Sequence, residues 1–274
     1  MLTQALDFAE EVKTLEAVLR QLPEHEWQRP TQFKQWTPND IVRHLHFWNE
    51  AADWSVHAPQ ALQRRLADMR ASAARGEGMR VLEGLQVTAS GPALLTLWSR
   101  FALDMAERWR ALDPRMRVDW AGPPMSVRSS ITARQMETWA HGQAIFDLCG
   151  QERTESDSLR NIVVLGVNTF GWSHQVRGWQ VPEHMPRIEL SGPQGQSWCF
   201  GEPGDAGLIR GSAMGFAQVV TQTRHLLDTD LRVEGAIAKR WMLNASVLQA
   251  PQNSRQRLVC AASRRTSLEG GRGA

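Results

Sequence analysis

Two histidines and one glutamate lie on predicted helix faces where apolar side chains are expected. His44 falls within the apolar stripe of a helix predicted to begin at Pro38, whereas His46 lies about 200° away from it on the helical wheel. We therefore expect His44 to point into the protein and His46 to point outward. The stripe consists of Ile41, Leu45, Trp48 and Ala52.

Glu137 and His141 lie one turn apart on a later predicted helix, beside its apolar stripe. A buried, ionised Glu needs a cation, which a metal ion or His141 itself could supply. If His44 reaches the same point, two imidazoles and one carboxylate form a metal site with an open position, as in catalytic zinc sites. The spacing also fits a simpler arrangement, in which Glu137 pairs with His141 and His44 bonds a backbone carbonyl.

The aromatic and cysteine content narrows the chemistry. The chain of 274 residues has twelve Trp and no Tyr, so proton transfer falls to His, Glu, Asp, Lys, Cys or a metal-bound water. Cys149, Cys199 and Cys260 form no C-x-x-C pair and are odd in number, which argues against a disulfide framework or a thiolate zinc site. Cys149 lies next to a predicted helix C-terminus, where the helix dipole disfavours a thiolate.

The net charge is unevenly distributed. The chain carries +2, but residues 251–274 hold five arginines and one acid, which leaves residues 1–250 at −2. The folded part is therefore not a basic nucleic-acid binder, and we expect a disordered tail at 251–274. The N-terminus lacks a leader pattern, and no apolar run approaches the ~20 residues that span a bilayer. We expect a cytoplasmic protein with no nucleic-acid or membrane partner.

Helical periodicity continues to about residue 180, where the elements become shorter and alternate. Several long amphipathic helices with short connections predict an antiparallel bundle, and a polar stretch at 59–75 is a short helix or a mobile connection. The first predicted helix ends at Pro23. The others run from Pro38 into the fifties, from Pro92 to Pro114, from Ser129 or Ser130 to Gly150, and from Ser156 to Gly178.

Strand and turn patterns follow residue 181. They predict a hairpin, a helix from Ala213, a strand near Leu231 and a last short helix. The expected fold is mainly α with an α+β C-terminal domain. Its predicted parts are a helical bundle at 1–180, an α+β domain at 181–250 and the tail at 251–274.

Two sequence segments carry a resemblance to a known family. Trp36-Thr-Pro-Asn-Asp-Ile-Val-Arg-His44-Leu and Met136-Glu-Thr-Trp-Ala-His141-Gly-Gln resemble the mycothiol-dependent maleylpyruvate isomerase family, one of the DinB-like metal-binding proteins. The resemblance implies a DinB-like up-down four-helix bundle followed by a small sterol-carrier-like α+β domain. It also implies a divalent metal, usually zinc, bound by His44, Glu137 and His141.

The same resemblance implies an activity. In the characterised isomerases a low-molecular-weight thiolate adds to the cis double bond of maleylpyruvate and is eliminated after rotation. By this likeness the chain is a thiol-dependent isomerase or transferase acting on a small anionic electrophile. Arg224 and Arg210 are the expected catalytic clamps for that substrate, with Arg134 as a further candidate. A homodimer is compatible with the sequence. The alternative is a non-catalytic, metal-stabilised protein that binds a ligand or a partner.

Overall fold

The computed structural model describes residues 1–247. Cys260 and the predicted tail lie outside the described residues. The α-helices are α1 (Thr3–Leu19), α2 (Pro38–His57), α3 (Pro59–Ala74), α4 (Met79–Gln86), α5 (Gly91–Trp109), α6 (Val127–Cys149), α7 (Leu159–Asn168), α8 (Phe170–Gln175), α9 (Ala213–Val220) and α10 (Ala236–Met242). The strands are β1 (Arg117–Val118), β2 (Met125–Ser126), β3 (Arg187–Ser191), β4 (Ser197–Phe200), β5 (Leu208–Ser212) and β6 (Arg232–Glu234).

Helices α1, α2, α5 and α6 form a four-helix bundle. Helix α1 packs against α5 and α6, and α2 packs against the same two helices, so α1 and α2 lie on opposite corners. The four helices bury aromatic and branched side chains between them, among them Phe8, Leu15, Ile41, Leu45, Trp98, Trp109, Ile131 and Ile145. Helices α3 and α4 pack against the outside of α2. The predicted bundle is confirmed.

Local signals fix the ends of the two helices that carry the candidate ligands. Thr37 and Asp40 form a reciprocal capping box at the start of α2, with Pro38 as its first residue. Helix α6 is capped by Ser126, three residues before the predicted cap, because the β1–β2 pair leads directly into the helix. Gly150 ends α6 in the left-handed region, at φ 63°.

The C-terminal part contains a four-stranded sheet in the order β4-β3-β5-β6. Strands β3 and β4 form the predicted antiparallel hairpin, β5 runs parallel to β3, and β6 is antiparallel to β5. Strand β5 was not predicted, and the single helix predicted over 156–178 is two helices that break at Thr169. Helix α9 packs against α7 and against the sheet. The domain boundary at 180 stays a prediction.

Helix α6 belongs to two hydrophobic cores. Ile131 and Ile145 lie in the bundle core, whereas Met136 and Trp139 lie in the second core, with side chains of α7, α9 and the sheet. Both candidate ligands on α6 are therefore carried by a helix that is packed on opposite sides.

A buried ion cluster joins α6 to the chain that follows it. Arg153 is paired with Glu11 of α1 and with Glu155, and it donates a hydrogen bond to the carbonyl of Trp139 at 2.9 Å. The indole N–H of Trp139 donates to Glu155 at 3.1 Å. The cluster holds residues 150–158 against the bundle.

The prediction for His46 is wrong. Its side chain is only 3% exposed and packs edge-on against Phe101 of α5. A helical wheel with one buried face fails here because α2 is contacted by α3, α4, α5 and α6. Within residues 1–247, none of the helices combines the length and apolar character needed to cross a membrane.

Candidate metal centre

His44, Glu137 and His141 converge between α2 and α6. Their potential ligand atoms all lie within 4.8 Å of one another. The Nε2 atom of His141 is 3.0 Å from Oε2 of Glu137, and Nε2 of His44 is 3.8 Å from the same oxygen. The structure therefore brings together the three residues that helical spacing singled out.

These separations fit a divalent metal ion. Bonds of about 2.1 Å to nitrogen and oxygen in a tetrahedral arrangement place two ligand atoms about 3.4 Å apart. The observed 3.0 and 3.8 Å bracket that value, so small side-chain rotations would bring both pairs to it. Two imidazoles and one carboxylate suit zinc or another borderline divalent metal. The donor set fits a metal ligand set, and the ligand atoms, which all lie within 4.8 Å of one another, would need to close to about this separation on binding.

Glu83 is a functional residue that the sequence reasoning missed. It lies on α4, which was not predicted, and its Oε1 accepts a hydrogen bond from Nδ1 of His44 at 2.8 Å. The carboxylate is almost completely buried, with 2% of its side chain exposed. A hydrogen bond at Nδ1 fixes the orientation and tautomer of the ring, which leaves Nε2 to face Glu137 and the metal position. A Glu beside Leu82, on the inner face of a short amphipathic segment, was the available sequence signal.

The electrostatics of the three residues favour a positive charge beside Glu137. Burial would raise the pKa of Glu137, but the neighbouring imidazoles of His141 and His44 and the charge of Arg134 hold it well below its usual range. Burial would lower the pKa of His44, but the nearby carboxylates of Glu137 and Glu83 raise it to about 9. Burial lowers the pKa of His141. Two carboxylates therefore share His44, which bears the positive charge that a metal ion would otherwise supply.

Aromatic rings enclose the two imidazoles. Trp36 stacks on His141 with a centroid separation of 5.6 Å and contacts His44 edge-on at 5.3 Å. Phe33 contacts His141 at 5.1 Å. The turn between these aromatics holds Lys34 and Gln35 at φ 49° and 59°, a conformation that costs non-glycine residues of order 1 kcal/mol each. The strained turn brings both rings onto the site.

A second aromatic pair extends from His44 to Arg134. Trp48 lies 6.2 Å from His44 and 5.4 Å from Trp120, between ring centroids. The guanidinium carbon of Arg134 lies over the Trp120 ring at 5.4 Å, and its Nη2 is 3.9 Å from Oε1 of Glu137. Arg134 therefore borders the ligand cluster.

Arg210 and Arg224, the predicted catalytic arginines, are engaged with other carboxylates. Arg210 on β5 is exposed and pairs with Glu189 of β3 at 2.7 Å. Arg224 forms a two-bond pair with Asp147, at 2.6 and 2.9 Å. Asp147 lies six residues beyond His141 on α6, which corresponds to about 9 Å along the helix axis. The catalytic role of both arginines stays a prediction.

Comparison with known proteins identifies the family. Over residues 8–146 the chain matches the family described as the mycothiol maleylpyruvate isomerase N-terminal domain, and this match spans half of the chain. The chain belongs to this family. The matched range contains all three candidate ligands and Glu83.

Similar proteins extend the likeness beyond the family domain. Two uncharacterised proteins of Mycobacterium tuberculosis, one from each of two strains, are 34% identical over 246 residues, which cover 89% of this chain and 95% of each relative. The crystal structure of the mycothiol-dependent maleylpyruvate isomerase shares the fold with a TM-score of 0.51 at 16% identity, over 80% of this chain and 88% of that one. The crystal structure of a mutant of that enzyme gives a TM-score of 0.53 at 17% identity. The predicted fold class, a DinB-like bundle with a C-terminal α+β part, is confirmed.

Proposed function

We propose that this protein is a divalent-metal-dependent enzyme that uses a low-molecular-weight thiol to isomerise or modify a small anionic electrophile. The convergence of His44, Glu137 and His141, with Glu83 behind His44, is the observation that carries the proposal. Family membership supports a thiol-dependent isomerase-like activity. The solved relative is by its title a mycothiol-dependent maleylpyruvate isomerase, and we propose a related reaction here.

His44, Glu137 and His141 would hold the metal ion. A divalent cation bound there supplies Lewis-acid chemistry, which lowers the pKa of a bound thiol so that the thiolate is available near neutral pH. Three protein ligands leave at least one coordination position for an exogenous group. Glu83 keeps His44 in the orientation that faces this position, because its carboxylate accepts a hydrogen bond from Nδ1–H.

The remaining side chains prepare the pocket for an anion. Trp36 and Phe33 cover His141 and keep bulk water from that side of the site. Water exclusion strengthens every charge interaction inside the pocket. When both imidazoles are neutral, the formal charges of a divalent cation, Glu83, Glu137 and Arg134 sum to +1. This positive charge favours a thiolate or a carboxylate as the ligand.

Metal content tests the first half of the proposal. We expect about one zinc per chain in protein purified without chelator, and loss of that zinc in His44→Ala. His57→Ala is the matched control, because His57 lies on the same helix and pairs with Asp53 outside the cluster. Circular dichroism must show equal helicity in all three proteins. Equal zinc in the wild type and His44→Ala would contradict the proposal.

Chelation separates an enzyme from a protein in which the metal only ties α2 to α6. The bundle buries an extensive apolar core without the site, so we expect the metal-free protein to keep its helicity and thermal transition. Thiol-dependent turnover of a cis-unsaturated dicarboxylate should vanish on chelation and return with zinc. Unfolding on chelation would indicate a structural metal.

A further inference from the structure

Arg134 differs from the other fully buried arginines of the bundle. Its side chain is 5% exposed, yet within residues 1–247 its Nε and Nη1 atoms have no hydrogen-bond acceptor. Arg65 also has an unpartnered Nε, but it donates to a backbone carbonyl and to a carboxylate, and Arg153 donates to a backbone carbonyl and is paired with two carboxylates. A guanidinium keeps its charge and its five N–H donors at any pH that the protein experiences.

Neither neighbour of Arg134 satisfies these donors. Glu137 approaches only to 3.9 Å, which is beyond hydrogen-bond distance, and it approaches Nη2 rather than the two unpartnered atoms. The Trp120 ring attracts the cation through its face but is a weak acceptor for N–H groups. Buried N–H groups of a charged side chain are costly unless an acceptor reaches them.

The position of Arg134 indicates which acceptor could reach its unpartnered N–H groups. Arg134 lies beside the Oε1 atom of Glu137, whereas the Oε2 atom of the same carboxylate faces the two imidazoles. Trp48 and Trp120 connect the guanidinium to His44 on the other side. A molecule that extended from the open metal position past Oε1 of Glu137 would therefore meet the guanidinium. The planar fork of an Arg matches the two oxygens of a carboxylate.

We propose that Arg134 binds a carboxylate group of the substrate through its unpartnered N–H groups, so that the pocket selects small carboxylate-bearing molecules. The inference rests on the proposed function for the position of the substrate, and it assigns to Arg134 the clamping role that the sequence left open among three arginines. The carboxylate completes the hydrogen bonding of the guanidinium and balances the formal charge of +1 left by the metal and its surrounding residues.

The test uses maleate as the probe and zinc-loaded protein. We expect Arg134→Gln to weaken maleate binding by about 10- to 100-fold in calorimetry, because two charge-assisted hydrogen bonds are lost. Arg134→Lys keeps the charge but loses the planar guanidinium, so its maleate affinity should lie between those of the wild type and Arg134→Gln. Arg128→Gln, an exposed arginine on the same helix, is the matched control and should bind like the wild type. The neutral diamide of maleate should bind all four proteins weakly and alike.

Two outcomes overturn the inference. The first is equal maleate affinity in the wild type and in folded, zinc-loaded Arg134→Gln. The second is a variant that loses zinc affinity while its maleate binding is unchanged, which would mean that Arg134 only balances the charge of Glu137. Should Arg134→Gln fold poorly, the wild type provides the test: maleate must shift the Nε–H resonance that is absent from the Arg134→Lys spectrum. An unmoved resonance also refutes the inference.

The design separates this inference from the proposed function. If the wild type holds no zinc, the proposed function fails, and maleate titration of metal-free wild type and Arg134→Gln still tests the guanidinium. If zinc is bound and maleate binding does not depend on Arg134, only the present inference fails.

Discussion

Replacing Glu83 by Gln gives a sharp test of how α4 contributes to the metal centre. The substitution keeps size and shape and retains an oxygen that can accept from Nδ1 of His44, but it removes the negative charge. The interaction that loses its charge is a 2.8 Å hydrogen bond in an environment where the carboxylate is only 2% exposed. Removal of such partners typically weakens metal binding 10- to 100-fold. This corresponds to about 1.4–2.7 kcal/mol of binding free energy.

Zinc affinity is measured by competition with a chromophoric chelator at fixed pH. Glu77→Gln is the matched control, since Glu77 is partly exposed and pairs with Arg75 just before α4. We expect the control to bind zinc like the wild type. Glu83→Ala should lose at least as much affinity as Glu83→Gln, because the acceptor disappears as well. An unchanged zinc dissociation constant in both Glu83 variants, with intact helicity, would refute the argument that Glu83 orients His44.

Two further predictions concern the scaffold. Burial raises the pKa of Glu155 from 4.5 to about 7, so the folded state binds this proton more tightly than the unfolded state. The free energy of unfolding should therefore fall as pH rises from about 4.5 to 7, by about 3 kcal/mol from this group; urea denaturation of Glu155→Gln should show a flatter profile, with exposed Glu152→Gln as control. Gly207→Ala should destabilise the sheet by several kcal/mol, because Gly207 has φ 98° and a Cβ there would overlap the backbone carbonyl of Glu234. Gly204→Ala, which has open space around it, should leave the thermal midpoint nearly unchanged, and equal midpoints for the two variants would contradict this reading.

The site was predictable where chemistry coincides with local periodicity. Glu137 and His141 are one helical turn apart, so their proximity follows from α6 alone, and the apolar stripe of α2 places His44 on an inner face. The meeting of the two helices is a tertiary fact, which the spacing left open and the family resemblance favoured. The four-helix bundle was predictable for the same reason, since each of its long helices has an amphipathic pattern and clear end signals.

Other features depend on long-range packing that no local pattern records. Glu83 is 39 residues from His44 in sequence. It lies on a short helix whose neighbouring glycines weaken the helical pattern in the sequence. His46 was assigned to the surface because one stripe seemed sufficient for α2, whereas packing on several sides buries both of its faces. Arg134 could not be ranked above Arg210 and Arg224 until the hydrogen-bond partners of each guanidinium were known.

The double packing of α6 has a consequence for the way the protein moves. A helix held between two cores cannot shift or rotate without disrupting both, so Glu137 and His141 form a fixed reference within the molecule. Adjustment to an incoming ligand is left to the thinner parts of the wall, the turn that carries Trp36 and the short helix that carries Glu83. Movement of the turn that carries Trp36 would change access to the cluster while Glu137 and His141 keep their positions on α6.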